Sequence, residues 1–272
     1  MSNKYYSPQN LVWVSNLMFA EAGIKIGVEK GYLIETRLSP LVRKNNFKDI
    51  EGFIESAKMG NAIHKQELID ALTTNETSFF RDNKPFEILE KITIPEFIEK
   101  NKNTKTLRIW SAACSSGQEA YSIKIILDRF AELNNWNIQI VGTDISKEIV
   151  KKATEGLYSQ FEIQRGLPTK ELIKYFDKNG TEWKAKQSLK QNITFRVENI
   201  FRPMNMIGKF DIVFCRNLLI YFDLPHKQKA LSNIHMQMNP NGHLFIGGAE
   251  TLLGIHNGFK LRKEFHGLYE RQ

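Results

Sequence analysis

The chain is poor in cysteine, with only Cys114 and Cys215 among its 272 residues. Two thiols cannot form the framework of bridges that stabilises small secreted domains, so a reducing cytosol is expected. The cysteines show no metal-ligand spacing and the six histidines lie apart, so we predict no metal. Both cysteines fall near predicted strand ends, where an inert buried thiol is favoured over a nucleophile.

Long hydrophobic runs are also missing. The apolar residues from Leu11 to Ala20 are interrupted by Ser15 and Asn16, without a signal-peptide cleavage pattern, and nothing downstream approaches the length of a membrane span. Internal repeats and low-complexity tracts are absent. With 42% hydrophobic and 25% charged residues, the composition is that of a globular protein with room for two domains. We expect a cytoplasmic location without direct membrane insertion.

Dense clusters of arginine and aromatic residues are missing too, although the formal net charge is +8. Scattered lysines do not form the basic stripe that nucleic-acid binding favours, so no nucleic-acid partner is expected. Two interpretations of the positive charge remain open: an ordinary solvated surface, or a surface that meets an acidic protein.

The spacing of apolar residues changes along the sequence. From Leu11 to Leu72 the apolar spacing is helical: residues 11, 14, 18 and 22 share one face, and residues 47, 50, 54 and 57 share another. After Pro85 a helix is predicted to about Lys100, broken or capped near Pro95. Strands then alternate with helices. We predict an all-α domain over 1–74, a linker over 75–84 that lines the functional site, and an α/β domain over 85–272.

Alternating strands and helices predict a parallel sheet with helices on both faces, whose ligands lie at the carboxyl ends of the strands. The predicted strands are 107–110, 138–143, 194–197, 210–215 and 243–247, and the helices are 118–133, 146–154 and 225–238. Strands 260–262 and 268–270 predict a closing antiparallel hairpin. An Asn179-Gly180 turn predicts a small antiparallel insert at about 157–193. The insert is either a docking surface or a plain surface loop.

The segment Asn75–Asp82 combines small hydrogen-bonding side chains with two aromatic rings and a cation. One interpretation is a cover for a ligand, in which Phe79 and Phe80 form flat apolar walls and Arg81 meets a carboxylate in two-point geometry. The other is a helix cap at Thr74 or Asn75 with the phenylalanines in the core.

The first crossover of the sheet indicates the kind of cofactor. Small residues from Ser111 to Gly117 allow a ligand close to the backbone, but the G-x-G-x-x-G spacing of dinucleotide sites is missing. Glu119 would repel a pyrophosphate and suits a cationic cofactor, of which S-adenosylmethionine is the common one. Asp144 follows the second strand, where a ribose-binding acid belongs. The alternatives are helix-dipole complementation by Glu119 and a helix cap at Asp144.

Polar Arg216 and Asn217 directly follow the apolar strand 210–215, which packing explains poorly. Methyltransferases that act on amide or ring amino nitrogens often carry Asn or Asp followed by Pro-Pro-aromatic at this place. The chain lacks that pair of prolines.

With these motifs assembled, the chain resembles the CheR family of chemotaxis receptor methyltransferases. The resemblance spans nearly the whole chain and rests on four segments in order, after a helical amino-terminal domain: Asn75 to Arg81, Trp110 to Ser122, Gly142 to Ser146 and Phe214 to Phe222. It implies an S-adenosylmethionine-dependent methyltransferase fold. It also implies cofactor contacts from Asn75, Thr77, Arg81, Glu119, Asp144, Asn199, Ile200, Arg216 and Asn217, with Arg81 and Tyr221 as catalytic residues beside the transferred methyl group.

The resemblance also implies a function: esterification of glutamate side chains on chemotaxis receptors, with S-adenosylhomocysteine as the second product. The expected partner is the cytoplasmic helical bundle of a chemoreceptor, which would recruit the enzyme to membrane receptor arrays. We expect a monomer, although the sequence does not decide the oligomeric state. Two other functions stay open, a signalling module that binds S-adenosylmethionine without turnover and an RNA methyltransferase. Ala249 stands where family members often have serine, and the insert's turn is short for binding a receptor tether peptide.

Overall fold

The computed structural model describes residues 6–204 and 208–272, except for the side chain of Val28. Its first part is helical, as the sequence predicts. Four helices, with a 3-10 turn at Val28–Lys30 between the first two, make up this part: α1 Pro8–Ala22, α2 Gly31–Lys44, α3 Ile50–Lys58 and α4 Ala62–Leu72. Residues 1–5 of the predicted helical domain lie outside the described residues.

Helix α1 has defined ends. The Ser7 hydroxyl accepts the N–H of Asn10 at 3.2 Å, and Pro8 occupies the first turn, where its missing N–H has no cost. At the other end Gly23 takes a left-handed conformation with φ of 67° and donates its N–H to the Phe19 carbonyl. The helix therefore stops at a fixed point and turns the chain toward the α/β domain.

The two predicted apolar faces form the core of the helical region. Leu11, Val14, Met18 and Ala22 of α1 are all buried, as are the apolar positions of α3. Phe47 differs from the prediction, since it lies in the turn before α3 and is only half-buried. Its ring packs edge-on against the core, so its apolar character was informative although its helical position was wrong.

The α/β domain contains two sheets, as predicted. The main sheet has the order β6-β2-β1-β7-β8-β10-β9, and a three-stranded sheet has the order β3-β5-β4. The strands are β1 Thr106–Ala112, β2 Asn137–Asp144, β3 Leu157–Ser159, β4 Phe176–Asn179, β5 Glu182–Ala185, β6 Ile193–Val197, β7 Phe210–Cys215, β8 Met238–Ile246, β9 Phe259–Leu261 and β10 Leu268–Arg271. In the main sheet β6 to β8 run parallel to β1 and β2, and β10 is antiparallel to both β8 and β9. The closing hairpin is therefore confirmed.

The strand order places a crevice beside β1. The chain runs outward from β1 to β2 and β6, and then returns to add β7 on the other side of β1. The connections on the two sides of β1 leave in opposite directions, which opens a gap at the carboxyl ends of these strands. The ends of β1, β2 and β7 meet there.

Alternation along the strands creates a core on each face of the sheet. Ile109, Ile212 and Phe214 point to one core, while Trp110 and Val213 point to the other. The helices of the domain cover these faces, and they are α5 Lys84–Ile88, α6 Ile94–Asn101, α7 Gln118–Leu127, α8 Lys147–Glu155, α9 Gln160–Gln164, α10 Thr169–Tyr175, α11 Gln187–Lys190 and α12 Leu224–Met236. Both faces are buried, which explains why β7 reads as an almost continuous apolar run.

The helix predicted between Pro85 and Lys100 is present but differently interrupted. A π-helical turn at Leu89–Thr93 joins α5 to α6, and Pro95 occupies the first turn of α6. Proline lacks the N–H that would continue the α-helical ladder, and a wider turn before it accommodates that loss. The chain therefore bulges before Pro95 without ending the helix.

Three predicted boundaries need correction. Helix α7 ends at Leu127, and the residues up to Leu133 form a turn that packs Phe130 and Leu133 against the core. Helix α12 ends at Met236, and β8 begins already at Met238, where it pairs with Phe210. Irregular pairing at this end of β7 hides the start of β8 from period-two patterning.

The predicted insert is a small sheet flanked by short helices. Strands β4 and β5 are antiparallel around Asn179 and Gly180, and β3 adds to β5. The bounds predicted for the domains, the linker and the insert remain predictions. No helix in residues 6–204 and 208–272 has both the length and the apolar character needed to cross a bilayer.

Candidate active site

A cavity opens where the ends of β1, β2 and β7 meet. It holds about 1000 Å³ of empty space, counting the part open to solvent. Every residue that the sequence assigns to the site lies in its wall: Asn75, Thr77, Arg81, Glu119, Asp144, Asn199, Ile200, Arg216, Asn217 and Tyr221. The structure thus brings all ten together, and their individual roles remain predictions.

The turn after β1 forms the floor of the cavity. Ala113, Ser115 and Gly117 all take positive φ, with 91° at Gly117. A Cβ at Gly117 would lie 2.9 Å from the Cβ of Ala153, so both the backbone angle and the packing require glycine. The turn brings the Ser115 N–H to within 2.9 Å of an Asp144 oxygen.

Asp144 ends β2 and is buried in the cavity wall. Its Oδ2 accepts the N–H of Ser115 at 2.9 Å, and its Oδ1 accepts the N–H of Ser146 at 3.0 Å. Burial raises the pKa of this carboxyl, and the amides of Ser146 and Ser115 oppose that shift. The helix cap at Asp144 is wrong, because the hydroxyl of Ser146 caps α8 by accepting the N–H of Ile149.

Glu119 lies in the first turn of α7 with both oxygens engaged. Its Oε1 accepts the hydroxyl of Ser111 at 2.7 Å, and its Oε2 accepts Nη1 of Arg216 at 2.9 Å. The sequence predicted a carboxylate that suits a cationic cofactor, and this role of Glu119 remains a prediction. The structure adds that the buried Arg216 guanidinium pairs with the same carboxylate. Glu119 can still accept a hydrogen bond from a ligand, but its full negative charge is not available.

Arg216 ties three parts of the site together. Besides Glu119, its guanidinium reaches the Arg81 carbonyl at 2.6 Å and the Asp82 carboxylate at 2.8 Å. It also lies over the ring of Phe86. The Nε–H of Arg216 is buried and has no partner within the described part of the chain. A buried donor of this kind is costly unless something accepts its hydrogen bond.

The segment from Thr73 to Arg81 combines one part of each predicted interpretation. The phenylalanines lie in the core, as the second interpretation predicted: Phe79 packs against Tyr158 in the insert and Phe80 packs against Phe86. The predicted helix cap is wrong, because no helix begins directly after Thr74 or Asn75. The predicted aromatic walls are wrong as well, and the polar residues before the rings line the cavity.

Arg81 and Tyr221 form the more open side of the cavity. Nη1 of Arg81 donates to the Glu76 carbonyl at 2.6 Å. Tyr221 ends a 3-10 turn at Leu219–Tyr221 and is 40% exposed. Its hydroxyl has no hydrogen-bond partner among the residues that the structure describes. Both side chains can therefore still meet a ligand that enters from solvent.

The helical region completes the wall, which the sequence did not predict. Glu21, Ala22 and Ile24 line the cavity at the end of α1, opposite the segment after β6. The Asn199 side-chain amide donates to the Glu21 carbonyl at 2.8 Å and accepts the N–H of Phe201 at 2.9 Å. Gly23 after a predicted helix was the available signal, because such a glycine marks a sharp change of direction.

Neither cysteine is suited to nucleophilic chemistry. Burial raises the pKa of both the Cys114 and the Cys215 thiol, and neighbouring carboxylates add to the shift. A thiol that resists ionisation is a poor nucleophile, in agreement with the prediction of inert thiols. In the part of the chain that the structure describes, no group of three or more His, Cys, Asp or Glu side chains is arranged to hold a metal ion.

Comparisons with known proteins agree with this geometry. The family model described as "CheR methyltransferase, SAM binding domain" matches residues 75–267. Chemotaxis protein methyltransferase Cher2 of Pseudomonas putida is 40% identical, over 88% of this chain and 89% of that protein. Chemotaxis protein methyltransferase 1 of Pseudomonas aeruginosa is 38% identical, over 88% and 89%. Chemotaxis protein methyltransferase 1 of Vibrio cholerae is 35% identical, over 89% of each.

These matches confirm the predicted family, the methyltransferase fold and the class of S-adenosylmethionine-dependent methyltransferases. The matched region begins at Asn75 and includes the other nine site residues, from Thr77 to Tyr221. The chain belongs to the CheR methyltransferase family.

Proposed function

We propose that the chain transfers the methyl group of S-adenosylmethionine to glutamate side chains of chemotaxis receptors. The products are glutamate methyl esters and S-adenosylhomocysteine. The substrate is the cytoplasmic helical bundle of a receptor, and the enzyme works as a cytoplasmic monomer that is recruited to membrane receptor arrays. The observation that carries the proposal is the cavity itself, which has two walls. The buried wall holds Glu119, Asp144 and Arg216, and the exposed wall holds Arg81 and Tyr221.

The residues of the buried wall fit S-adenosylmethionine. Asp144 retains lone pairs for both ribose hydroxyls, although each of its oxygens already accepts one amide. The Arg216 guanidinium lies in the cavity lining, and its positive charge suits the carboxylate of the cofactor. The side chain of Asn217 and the backbone near Asn199 and Ile200 supply further polar contacts.

The chemistry requires alignment more than activation. Bound S-adenosylmethionine supplies an electrophilic methyl group on a sulfonium. A substrate glutamate has a reference pKa of about 4.3, so its carboxylate is already ionised at neutral pH and needs no general base. Arg81 and Tyr221 orient that carboxylate toward the methyl carbon. Holding the reacting atoms in line supplies up to about 7–11 kcal/mol in favourable model systems.

The helical region is the proposed receptor-facing surface. It carries Lys30, Arg43 and Lys48 on exposed positions, whereas Lys25 pairs with Asp223 and Lys44 pairs with Glu67. Unpaired basic side chains attract an acidic helical bundle and speed its approach.

The test is incubation of the chain with methyl-labelled S-adenosylmethionine and membranes that hold candidate receptors, followed by alkaline release of methanol. We expect labelled methanol only when chain and receptors are both present. Matched controls omit the chain, or replace the membranes with RNA. Label that resists base or enters RNA contradicts the proposal, and cofactor binding without any transfer supports a non-catalytic module instead.

A further inference from the structure

Glu250 lies in the loop after β8 with its carboxylate buried against the segment that carries Asn217 and Tyr221. Its Oε2 accepts the N–H of Gly247 at 2.6 Å and the N–H of Asn217 at 2.9 Å, and its Oε1 accepts the N–H of Ile220 at 3.3 Å. Only 8% of the residue is exposed. Its three contacts are backbone amides, and no cation pairs with it in the described part of the chain.

The two loops approach so closely that only glycine fits at position 247. A Cβ there would lie 2.6 Å from Oε2 of Glu250 and 2.9 Å from the Asn217 nitrogen. Asn217 itself has a φ of 57°, in the left-handed region that non-glycine residues seldom adopt. Such a conformation persists where the surroundings hold it, and the bond to Glu250 is a contact that does so.

The bonds to Asn217 and Ile220 bracket the turn that ends at Tyr221. Asn217 is a predicted cofactor contact, and Ile220 directly precedes Tyr221 in the 3-10 turn Leu219–Tyr221. The Tyr221 hydroxyl has no partner among the described residues, so its place is set through the backbone of this turn. A hydrogen bond from an amide to a charged acceptor is stronger than one to a neutral acceptor. The Glu250 carboxylate can therefore hold the backbone of this turn in place.

We propose that Glu250 is a positioning residue for methyl transfer, acting through the backbone of the Asn217–Tyr221 turn without touching the cofactor. This inference rests on the proposed function. The inference goes beyond the proposed function because it assigns a role to a carboxylate outside the cavity wall. The buried wall holds the cofactor largely through other elements, so loss of Glu250 affects the transfer step more than cofactor affinity.

The test is Glu250→Gln, which keeps the shape and removes the charge. We expect kcat to fall about 10- to 100-fold, because a misplacement of about 1 Å is enough for such a loss, while the affinity for S-adenosylhomocysteine changes by less than about threefold. Glu250→Asp keeps the charge, but its shorter side chain cannot reach both Asn217 and Ile220, so kcat falls there too. Steady-state kinetics, calorimetry and thermal unfolding measure these effects.

Asp211→Asn is the matched control. The Asp211 carboxylate also accepts a backbone N–H, that of Arg108 at 2.8 Å, but it lies at the opposite end of β7. We expect it to leave kcat unchanged. The inference is overturned if an active wild-type enzyme keeps its kcat in the folded Glu250 variants, if Asp211→Asn loses as much, or if neither Glu250 variant folds. If the wild-type chain transfers no methyl group, the proposed function itself is refuted, and this outcome differs from a loss confined to the Glu250 variants.

Discussion

The two walls of the cavity differ in how many of their polar groups are already hydrogen-bonded within the protein. On the buried wall, each oxygen of Asp144 and Glu119 already accepts a hydrogen bond from the protein. On the exposed wall, Arg81 contacts one carbonyl and Tyr221 is 40% exposed. A wall held by its own bonds keeps its geometry before a ligand arrives, whereas an open wall can accept a second molecule. The difference agrees with the proposed division of the cavity, in which the cofactor binds on the buried side and the substrate enters on the exposed side.

The largest effect is expected from breaking the buried wall at Arg216. In Arg216→Met the buried Glu119 carboxylate loses its cationic partner, and the free energy of unfolding should fall by about 3–5 kcal/mol. The control is Arg262→Met, which breaks a more exposed pair with Glu96 and should cost about 1 kcal/mol or less. Denaturant unfolding measures both changes. Equal losses of unfolding free energy would show that the buried ion pair stabilises the protein no more than the exposed pair does.

The next effect concerns the cofactor contact at the end of β2. Asp144→Asn replaces the proposed charged hydrogen bonds to the ribose by neutral ones. It also places the side-chain NH2 group against one of the two backbone N–H donors, so one hydrogen bond to the backbone is lost. We expect affinity for S-adenosylhomocysteine to fall by about 1.5–3 kcal/mol, or about 10- to 150-fold. Asp211→Asn, the same change outside the cavity, should stay within about 0.5 kcal/mol. Calorimetry that finds equal affinities in the two variants would contradict the assignment of Asp144.

On the exposed wall we expect a substitution to change turnover more than cofactor affinity. Tyr221→Phe should lower kcat about tenfold while leaving the affinity for S-adenosylhomocysteine within about twofold, because the proposed contact of the hydroxyl is with the substrate carboxylate. Kinetics and calorimetry on the same preparation separate the two quantities. If turnover and affinity fell equally, the division of roles between the walls would be rejected.

The smallest effect is a pH dependence from Asp144. Burial raises the pKa of this carboxyl in the free protein. The proposed hydrogen bonds from the ribose hydroxyls to the ionised form would lower that pKa in the complex. Affinity should therefore be constant at higher pH and fall as pH decreases through the raised pKa of the free protein. Calorimetry from about pH 7.5 to about pH 4.5 measures the curve. An equal fall in Asp144→Asn would assign the effect to another group.

Sequence patterns predicted the buried wall better than its connections. Small residues after β1 and polar residues after β2 and β7 stand next to apolar strands, and strand ends meet at one edge of a parallel sheet. Asp144 and Arg216 could therefore be placed near each other. The pair Glu119–Arg216 joins residues 97 positions apart, and such pairing depends on a strand order that local periodicity does not determine.

The exposed wall was predicted from resemblance more than from patterns. For Phe79 and Phe80 the sequence left two alternatives open, a wall facing a ligand or a place in the core. The structure has both rings in the core, where the insert offers Tyr158 and Phe176 as partners for Phe79. Glu250 was missed because its role lies in contacts with the backbone of another loop. No spacing in the sequence reveals which amides a buried carboxylate will meet.

Calorimetric titration of the chain with S-adenosylhomocysteine, repeated with NADH, tests most directly that the cavity beside β1 is an adenosyl-sulfur cofactor site. We predict saturable binding of S-adenosylhomocysteine to the wild-type chain, weakened in Asp144→Asn and undisturbed by NADH. The absence of binding to S-adenosylhomocysteine, or its displacement by NADH, would contradict the account.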